Sequence, residues 1–338
     1  MLEGYIVEFF GVNCFAKPAW FVCAAAVIAC GVLPAGCGTQ LENSAAIAHA
    51  AKPPTNRVVA VSYPLQYLTE RIGGDAIEVV FPVPAGTDPQ AWRPTRDAIS
   101  QMQTADMVVA NGTGASYANW LTTVTLPESK IRNTASRGLS LSQYIAVEDT
   151  QVVHSHGPEG EHSHSVMIAR TWLDPAIAKK QANYIARELK KTYPERSSDF
   201  EKNLESLVAE LDQLAGLMKA ITLKAITPNG SVVVRTTTPQ LKFFTRAAGL
   251  DDRHLLWFED PTIEQADKEL TAASADGEKP GLILFAGSAP TAELSELLHS
   301  KGLRPVTVDL IDHRPEAGDY LSALKQNIEI LQAAIEGN

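Results

Sequence analysis

Cysteine is confined to one end of this 338-residue sequence. The four cysteines are Cys14, Cys23, Cys30 and Cys37, and none follows them. A disulfide bond or a thiolate metal site is therefore excluded from the body of the protein.

The sequence also lacks a surplus of basic residues. It has 29 Lys and Arg residues and 39 Asp and Glu residues, for a net charge of -10. Proteins that bind nucleic acid usually present a basic surface to its phosphates, so we expect no nucleic-acid partner. No stretch after the first forty residues is apolar and long enough to span a bilayer, which excludes a polytopic membrane protein. With 45% hydrophobic and 20% charged residues, the chain has a globular composition, and its length predicts two domains.

The motifs of common enzymes are missing as well. No nucleophile elbow, His-Glu-x-x-His zinc helix, Walker motif or dinucleotide glycine pattern lies between a predicted strand and a predicted helix. Residues 112–116 (GTGAS) follow a predicted strand, but the spacing of a nucleophile elbow is wrong. No pair of carboxylates stands out as an acid and base. We therefore predict a protein that is not an enzyme.

Residues 1–36 have the features of an export signal. Residues 19–36 (AWFVCAAAVIACGVLPAG) form a short apolar run that ends in small residues. The following segment, 33–37 (LPAGC), resembles a bacterial lipobox, so Cys37 is the predicted lipidation site and residues 37–56 a flexible tether. Cys30 is a second candidate, and a plain cleaved signal or an uncleaved anchor is the alternative. We expect export to the periplasm or cell surface, with membrane contact only through the lipid.

Strands alternate with helices along the remaining chain, which predicts βαβ units and parallel sheets. The predicted strands cover residues 57–62, 77–82, 107–111, 231–234, 281–285 and 306–309. Between residues 198 and 221, leucines recur at three-to-four spacing and predict one helix of about 36 Å. We predict an α/β fold with an N-terminal lobe at 57–196, a linker helix at 197–225 and a C-terminal lobe at 226–338. No internal repeat is evident.

Six short segments carry a resemblance to a known family. They are 63–65 (YPL), 71–75 (RIGGD), 83–89 (VPAGTDP), 105–112 (ADMVVANG), 172–175 (WLDP) and 319–321 (DYL). In this order, and after an export leader, they resemble the substrate-binding proteins of zinc and manganese ABC importers, the cluster A-I family. The resemblance implies two α/β lobes bridged by a rigid helix. It also implies a monomer that captures a divalent metal and delivers it to a membrane permease.

The same resemblance implies a metal site in the cleft between the lobes, and here the chain departs from the family. Members hold the metal with three histidines and one acidic residue, and the matching positions are Gln90, Arg170, Thr238 and Asp309. Gln and Thr are poor zinc ligands, and a guanidinium stays protonated and only donates hydrogen bonds. We predict that the inherited site is lost, and that Arg170 and Asp309 can pair across the cleft.

Two alternatives to metal transport follow from this loss. A carboxylate or phosphate of a polar or anionic solute would suit Arg170, Arg235, Gln90 and the threonines at 236–238. Trp92 would then either wall the cleft or anchor the core. The other alternative is an adhesin or scaffold without a ligand.

A His-rich loop at residues 152–165 is the remaining metal candidate. It holds His154, His156, His162 and His164, with Glu159 and Glu161 between the two pairs. Imidazole and carboxylate suit Zn²⁺, Ni²⁺ or Cu²⁺, although a loop without any role is the alternative. The other histidines, His49, His254, His299 and His313, are predicted to be isolated surface or capping residues. The function predicted is an exported solute-binding protein of a zinc- or manganese-type importer that contacts metal through this loop and Asp309.

Overall fold

The computed structural model describes residues 55–111, 118–134, 150–155, 161–166, 170–227, 230–255, 257, 261–274 and 281–337, which all lie in one compact unit. The helices in this part are α1 (Tyr63–Gly73), α2 (Arg96–Thr104), α3 (Pro175–Thr192), α4 (Ser197–Ala225), α5 (Lys242–Ala247), α6 (Ile263–Ser274), α7 (Ala292–Ser300) and α8 (Tyr320–Glu336). The strands are β1 (Arg57–Ala60), β2 (Glu78–Val80), β3 (Met107–Ala110), β4 (Ile131–Asn133), β5 (Thr150–Ser155), β6 (Glu161–Val166), β7 (Ile226–Thr227), β8 (Gly230–Ser231), β9 (Val233–Thr236), β10 (Asp251–His254), β11 (Leu282–Ala286) and β12 (Arg304–Val308).

Each lobe is built on a four-stranded parallel sheet. The N-terminal sheet has the order β2-β1-β3-β4, and the C-terminal sheet has the order β10-β9-β11-β12. The predicted fold class, two parallel-sheet α/β lobes, is confirmed. The two sheets share one strand order, although the sequence shows no internal repeat. The backbone topology is therefore the same in both lobes while the side chains differ.

The middle strands of both sheets are apolar because helices cover both of their faces. Every residue of β3 is buried, and so are the first four residues of β11. The edge strands β4 (IRN) and β10 (DDRH) are polar instead. These two strands are not predicted from the sequence, since short polar edge strands lack an apolar run.

The helix α4 joins the lobes and is 29 residues long, about 43 Å at 1.5 Å per residue. It packs against α1 and α3 of the N-terminal lobe and against α8 of the C-terminal lobe. Its buried stripe consists of Phe200, Leu207, Leu211, Leu214, Met218, Ile221 and Ala225. The leucine spacing between residues 198 and 221 predicts this stripe.

The predictions for residues 1–54, including the leader, Cys37 and most of the tether, lie outside the described residues. Within the described ranges, no helix is both long and apolar enough to cross a membrane.

Asp106 fastens the start of the described chain to the N-terminal lobe. Its carboxylate accepts hydrogen bonds from the backbone N–H groups of Thr55 (2.8 Å) and Arg57 (3.3 Å) and from the Tyr193 hydroxyl (2.8 Å). Burial opposes ionisation of Asp106, but these hydrogen bonds outweigh it and hold the pKa of this carboxyl below its ordinary value.

Because the folded-state pKa of Asp106 is depressed, the ionised carboxylate stabilises the fold above an unfolded-state pKa of about 3.9. This stabilisation is lost as the pH falls through the folded pKa. We expect Asp106→Asn to lower the free energy of unfolding at pH 7 by about 1–3 kcal/mol, since the amide group faces N–H donors. Urea unfolding at pH 7 and pH 3 measures this. The free energy of unfolding should fall less between the two pH values in the variant than in the wild type. Glu205→Gln, on the exposed side of α4, is the control, and an equal acid response in all three proteins would contradict the assignment.

Candidate binding site between the lobes

The family-matched positions lie on segments that follow or flank the carboxyl ends of the two sheets, where parallel α/β sheets bind ligands. Thr238 comes two residues after β9, and Asp309 comes directly after β12. Gln90 lies in the connection from β2 to α2, and Arg170 lies just before the short 3-10 helix Thr171–Leu173 that leads into α3.

Arg170 forms an ion pair across the lobes with Asp312. Its Nε atom donates to Asp312 Oδ1 at 3.1 Å, and its Nη2 atom donates to Oδ2 at 2.6 Å. The side chains are only 4% and 18% exposed. This is the bidentate geometry in which guanidinium and carboxylate attract most strongly. The prediction that Arg170 can pair with Asp309 is wrong in its partner, because Asp312 supplies the carboxylate.

Asp309 shapes the loop that carries Asp312. We call residues 309–319 the β12–α8 loop. Asp309 Oδ1 accepts the backbone N–H of Ile311 at 2.8 Å, while the Asn327 amide on α8 bonds both the N–H (2.9 Å) and the C=O (2.8 Å) of Asp309. Ile311 is buried with φ +55°, which is rare for a β-branched residue. The carboxylate of Asp309 thus takes part in a turn that directs Asp312 towards Arg170.

Gln90 and Thr238 take part in local turns. The backbone N–H of Gln90 donates to the Asp88 carboxylate at 2.9 Å. The Thr238 hydroxyl accepts the N–H of Gln240 at 3.2 Å and so caps the 3-10 helix Pro239–Leu241. Among the residues that the structure describes, no three or more His, Cys, Asp or Glu side chains are grouped as metal ligands would be.

Arg235 and Trp92 are both buried and have partners within their own lobes. The Arg235 side chain donates to the Ala273 carbonyl on α6 at 2.8 Å. Trp92 is buried and meets Trp120 edge-to-face at 4.8 Å between ring centroids. Trp120 in turn donates to the Pro89 carbonyl at 3.1 Å. Of the two readings of Trp92, the core anchor agrees with this packing.

Several further hydrogen bonds tie the β12–α8 loop to the N-terminal lobe. Trp172 Nε1 donates to the Leu310 carbonyl at 2.9 Å, and His313 Nε2 donates to the Thr87 carbonyl at 2.7 Å. The Tyr67 hydroxyl donates to Asp319 at 2.9 Å. His313 is therefore an inter-lobe contact rather than an isolated residue. The sequence does not single out Asp312 and predicts His313 only as an isolated residue, although both lie in the polar run that follows Asp309.

A buried polar network holds the segment that follows Arg170 in the chain. The Thr171 hydroxyl and the Gln181 amide both donate to Asn111 Oδ1 at 2.9 Å. Gln181 also donates to the Thr134 hydroxyl at 2.9 Å. Asn111 follows β3 and Thr134 follows β4, so the network fastens the segment after Arg170 to the carboxyl edge of the N-terminal sheet.

Asp174 caps the N-terminus of α3. Its carboxylate accepts the N–H groups of Ala176 (2.8 Å) and Ile177 (3.3 Å), with Pro175 in the first turn. Burial raises the pKa of Asp174 despite these hydrogen bonds. The start of α3 is thereby fixed close to Arg170.

The His-rich segment is a hairpin rather than the loop predicted at 152–165. β5 and β6 pair antiparallel, and the register sets His154 opposite His162 and Val152 opposite His164. His156 and Glu159 lie outside the described residues. Residues directly opposite each other in such a pair have Cβ atoms about 4.5–5.5 Å apart. The backbone therefore brings one histidine from each His-x-His pair to neighbouring positions.

Comparison with known proteins gives a consistent group of relatives. The family model described as ZnuA, zinc-uptake complex component A periplasmic, matches residues 58–334. The zinc-binding lipoprotein AdcA of Streptococcus pneumoniae is 28% identical over 159 residues, 46% of this chain and 31% of that protein. The high-affinity zinc uptake system protein ZnuA of Bacillus subtilis is 29% identical over 202 residues, 59% of this chain and 60% of that protein. The chain thus spans less than two thirds of either protein.

A longer alignment joins the chain to the iron ABC transporter substrate-binding lipoprotein MtsA of Streptococcus pyogenes, which is 24% identical over 289 residues, 82% of this chain and 88% of that protein. Among solved structures, the metal-dependent lipoprotein YcdH of Bacillus subtilis has a TM-score of 0.64 at 20% identity and covers 82% of this chain and 98% of its own. A mutant of FpvC from Pseudomonas aeruginosa has a TM-score of 0.67 at 21% identity, with 83% and 100% covered. At these identities the structural likeness shows the two-lobed fold.

Proposed function

The chain belongs to the ZnuA family of metal-type ABC substrate-binding proteins, and we propose that it contacts divalent metal outside its cleft. In this proposal the histidines at 154, 156, 162 and 164 bind Zn²⁺ or Mn²⁺, and the family's cleft site is lost. The family consists of substrate-binding proteins, which agrees with a protein that is not an enzyme.

The observation that carries the proposal is the ion pair between Arg170 and Asp312. Arg170 occupies a position where family members place a metal-binding histidine, and its guanidinium donates two hydrogen bonds to a carboxylate. A metal ion there would have to separate this pair and then remain beside a positive charge. The turn-forming roles of Asp309 and Thr238 add to this support, since each already uses a side-chain oxygen locally.

The hairpin supports the part of the proposal in which the histidines bind metal. The register of β5 and β6 puts His154 and His162 at facing backbone positions, one on each strand. Imidazole favours Zn²⁺ over Mn²⁺, whereas carboxylates accept both. The relatives named as zinc-binding and zinc-uptake proteins make Zn²⁺ the first probe.

A polar or anionic cleft ligand, the alternative from sequence analysis, has less support. Arg170 is bonded to Asp312, and Arg235 is bonded to the Ala273 carbonyl. Neither guanidinium is therefore presented to a solute in the arrangement described. We also propose export with lipidation at Cys37 and delivery of metal to an ABC permease by a monomer, on the basis of the leader and the family.

The test is calorimetric titration of Zn²⁺ and Mn²⁺ into the chain from residue 37 onward. We expect roughly micromolar Zn²⁺ binding, about 8 kcal/mol, and weaker Mn²⁺ binding. A variant without residues 154–164 should lose the Zn²⁺ signal. So should a second variant in which the four histidines become Asn, and this variant keeps the hairpin length.

His299→Asn, in the last turn of α7, is the matched control because it removes an imidazole outside the hairpin. It should bind Zn²⁺ like the unaltered chain. Tight one-to-one binding that survives the deletion would show that the cleft binds metal and would overturn the proposal.

A further inference from the structure

We propose that the ion pair between Arg170 and Asp312 holds the two lobes together in place of a cargo ion, so that the closed arrangement forms without metal. This inference concerns the state of the lobes and goes beyond the proposed function. It stands or falls independently of whether the hairpin binds Zn²⁺.

The geometry of the pair favours a firm contact between the lobes. One charge belongs to each lobe, and the two residues are 142 positions apart in the chain. Two parallel hydrogen bonds fix the relative orientation of the guanidinium and the carboxylate as well as their distance. Because Arg170 is 4% exposed and Asp312 is 18% exposed, water and salt screen the attraction much less than at an open surface.

Each partner of the pair is held in position by its own lobe. On the N-terminal side, the bond from Thr171 to Asn111 holds the segment that follows Arg170. On the C-terminal side, Asn327 brackets the backbone of Asp309, and the Ile311 turn carries the chain on to Asp312. A preorganised pair loses little conformational entropy on closing, so more of its attraction stabilises the closed state.

The pair lies within a series of inter-lobe bonds along the β12–α8 loop. Before Asp312 in sequence, Leu310 accepts from Trp172, and after it His313 donates to Thr87. Arg314 then lies 3.4 Å from the Glu70 carboxylate, and Asp319 accepts from Tyr67. The loop therefore contacts the N-terminal lobe on both sides of the ion pair, and loss of the pair should loosen these neighbours.

A consequence is that metal should not change the lobe arrangement. In a protein whose cleft ligands come from both lobes, the ion itself joins them. Here a guanidinium and a carboxylate provide that attraction within the chain, so a permease would meet the same closed surface with or without metal.

The test is amide hydrogen exchange followed by mass spectrometry on the chain from residue 37 onward. It compares peptides from both sides of the contact, residues 84–92 and 309–319. In Arg170→Met, we expect both peptides to exchange at least about tenfold faster than in the wild type, because local opening becomes easier. Arg170→Lys keeps the positive charge but not the bidentate guanidinium, and should give an intermediate exchange rate. Addition of Zn²⁺ should leave the wild-type rates of both peptides unchanged.

Asp312→Asn removes the charge from the other side and should reproduce the effect if Arg170→Met does not fold. Lys325→Met is the matched control, since it breaks an exposed pair with Glu329 within α8 and should leave both peptides unchanged. Wild-type exchange in both Arg170→Met and Asp312→Asn would overturn the inference. So would slower exchange of the wild type when Zn²⁺ is added, because the lobes would then not be closed beforehand.

Discussion

Three substitutions, Gln90→His, Arg170→His and Thr238→His, are together expected to create tight one-to-one Zn²⁺ binding in the cleft. They restore imidazole at each position where the family has a histidine, beside Asp309, which keeps the acidic ligand type. Three imidazoles and one carboxylate form a complete tetrahedral zinc set. A chain without residues 154–164 should then bind Zn²⁺ with a roughly nanomolar Kd, about 12 kcal/mol, where the parent binds none.

Arg170 should account for most of this gain. A lone guanidinium about 4 Å from a divalent ion opposes it by roughly 8 kcal/mol at an effective dielectric near 20, before screening and before the opposing attraction of the Asp312 carboxylate. The matched control is therefore Gln90→His with Thr238→His in a chain that retains Arg170. Calorimetry should find this double variant far weaker than the triple variant. Equal affinity of the two would mean that Arg170 does not face the ion, and that the cleft fails to bind metal for another reason.

Replacement of Trp172 by Ala is expected to destabilise the fold strongly. The side chain is fully buried in the hydrophobic core, and its Nε1 atom donates to the Leu310 carbonyl of the opposite lobe. The backbone of the same residue accepts the Tyr320 hydroxyl at 2.6 Å. Removal of a buried Trp side chain costs about 3–5 kcal/mol through lost burial and the cavity it leaves. Urea unfolding should show this decrease in the free energy of unfolding.

Trp172→Phe separates burial from the inter-lobe hydrogen bond. The Phe ring keeps most of the apolar contact, whereas the Leu310 carbonyl loses its donor, which costs about 1–3 kcal/mol if the group stays buried. Leu223→Ala is the control, because this side chain is 69% exposed and its loss should change little. If Trp172→Ala and Leu223→Ala unfolded at the same urea concentration, Trp172 could not be central to the contact between the lobes.

The proposed loss of the cleft metal site and the proposed contact between the lobes involve one and the same residue. Arg170 carries a side chain that cannot ligate a metal, and the structure gives it a partner on the β12–α8 loop. Both proposals follow from one fixed positive charge at a position where the family resemblance implies a ligand. The histidine substitutions and the exchange experiment test these two proposals separately.

The sequence by itself determined the elements whose signal is local. The leucine spacing of α4 predicts its buried stripe, and the apolar runs of β1, β3 and β11 predict the middle strands. Such patterns reflect burial on one face or on both, so they persist in the sequence whatever the partner element is. The edge strands β4 and β10 lack that signal, because they are partly exposed and pair through the backbone.

The tertiary structure alone decided which groups meet. The family resemblance implies that Arg170 can pair with Asp309, yet the Ile311 turn carries the chain three residues further and presents Asp312 instead. Likewise, His154 and His162 become neighbours only through the register of a hairpin that the polar sequence does not indicate. Contacts between residues far apart in the chain depend on backbone turns and strand register, and a shift of a single residue changes the partner.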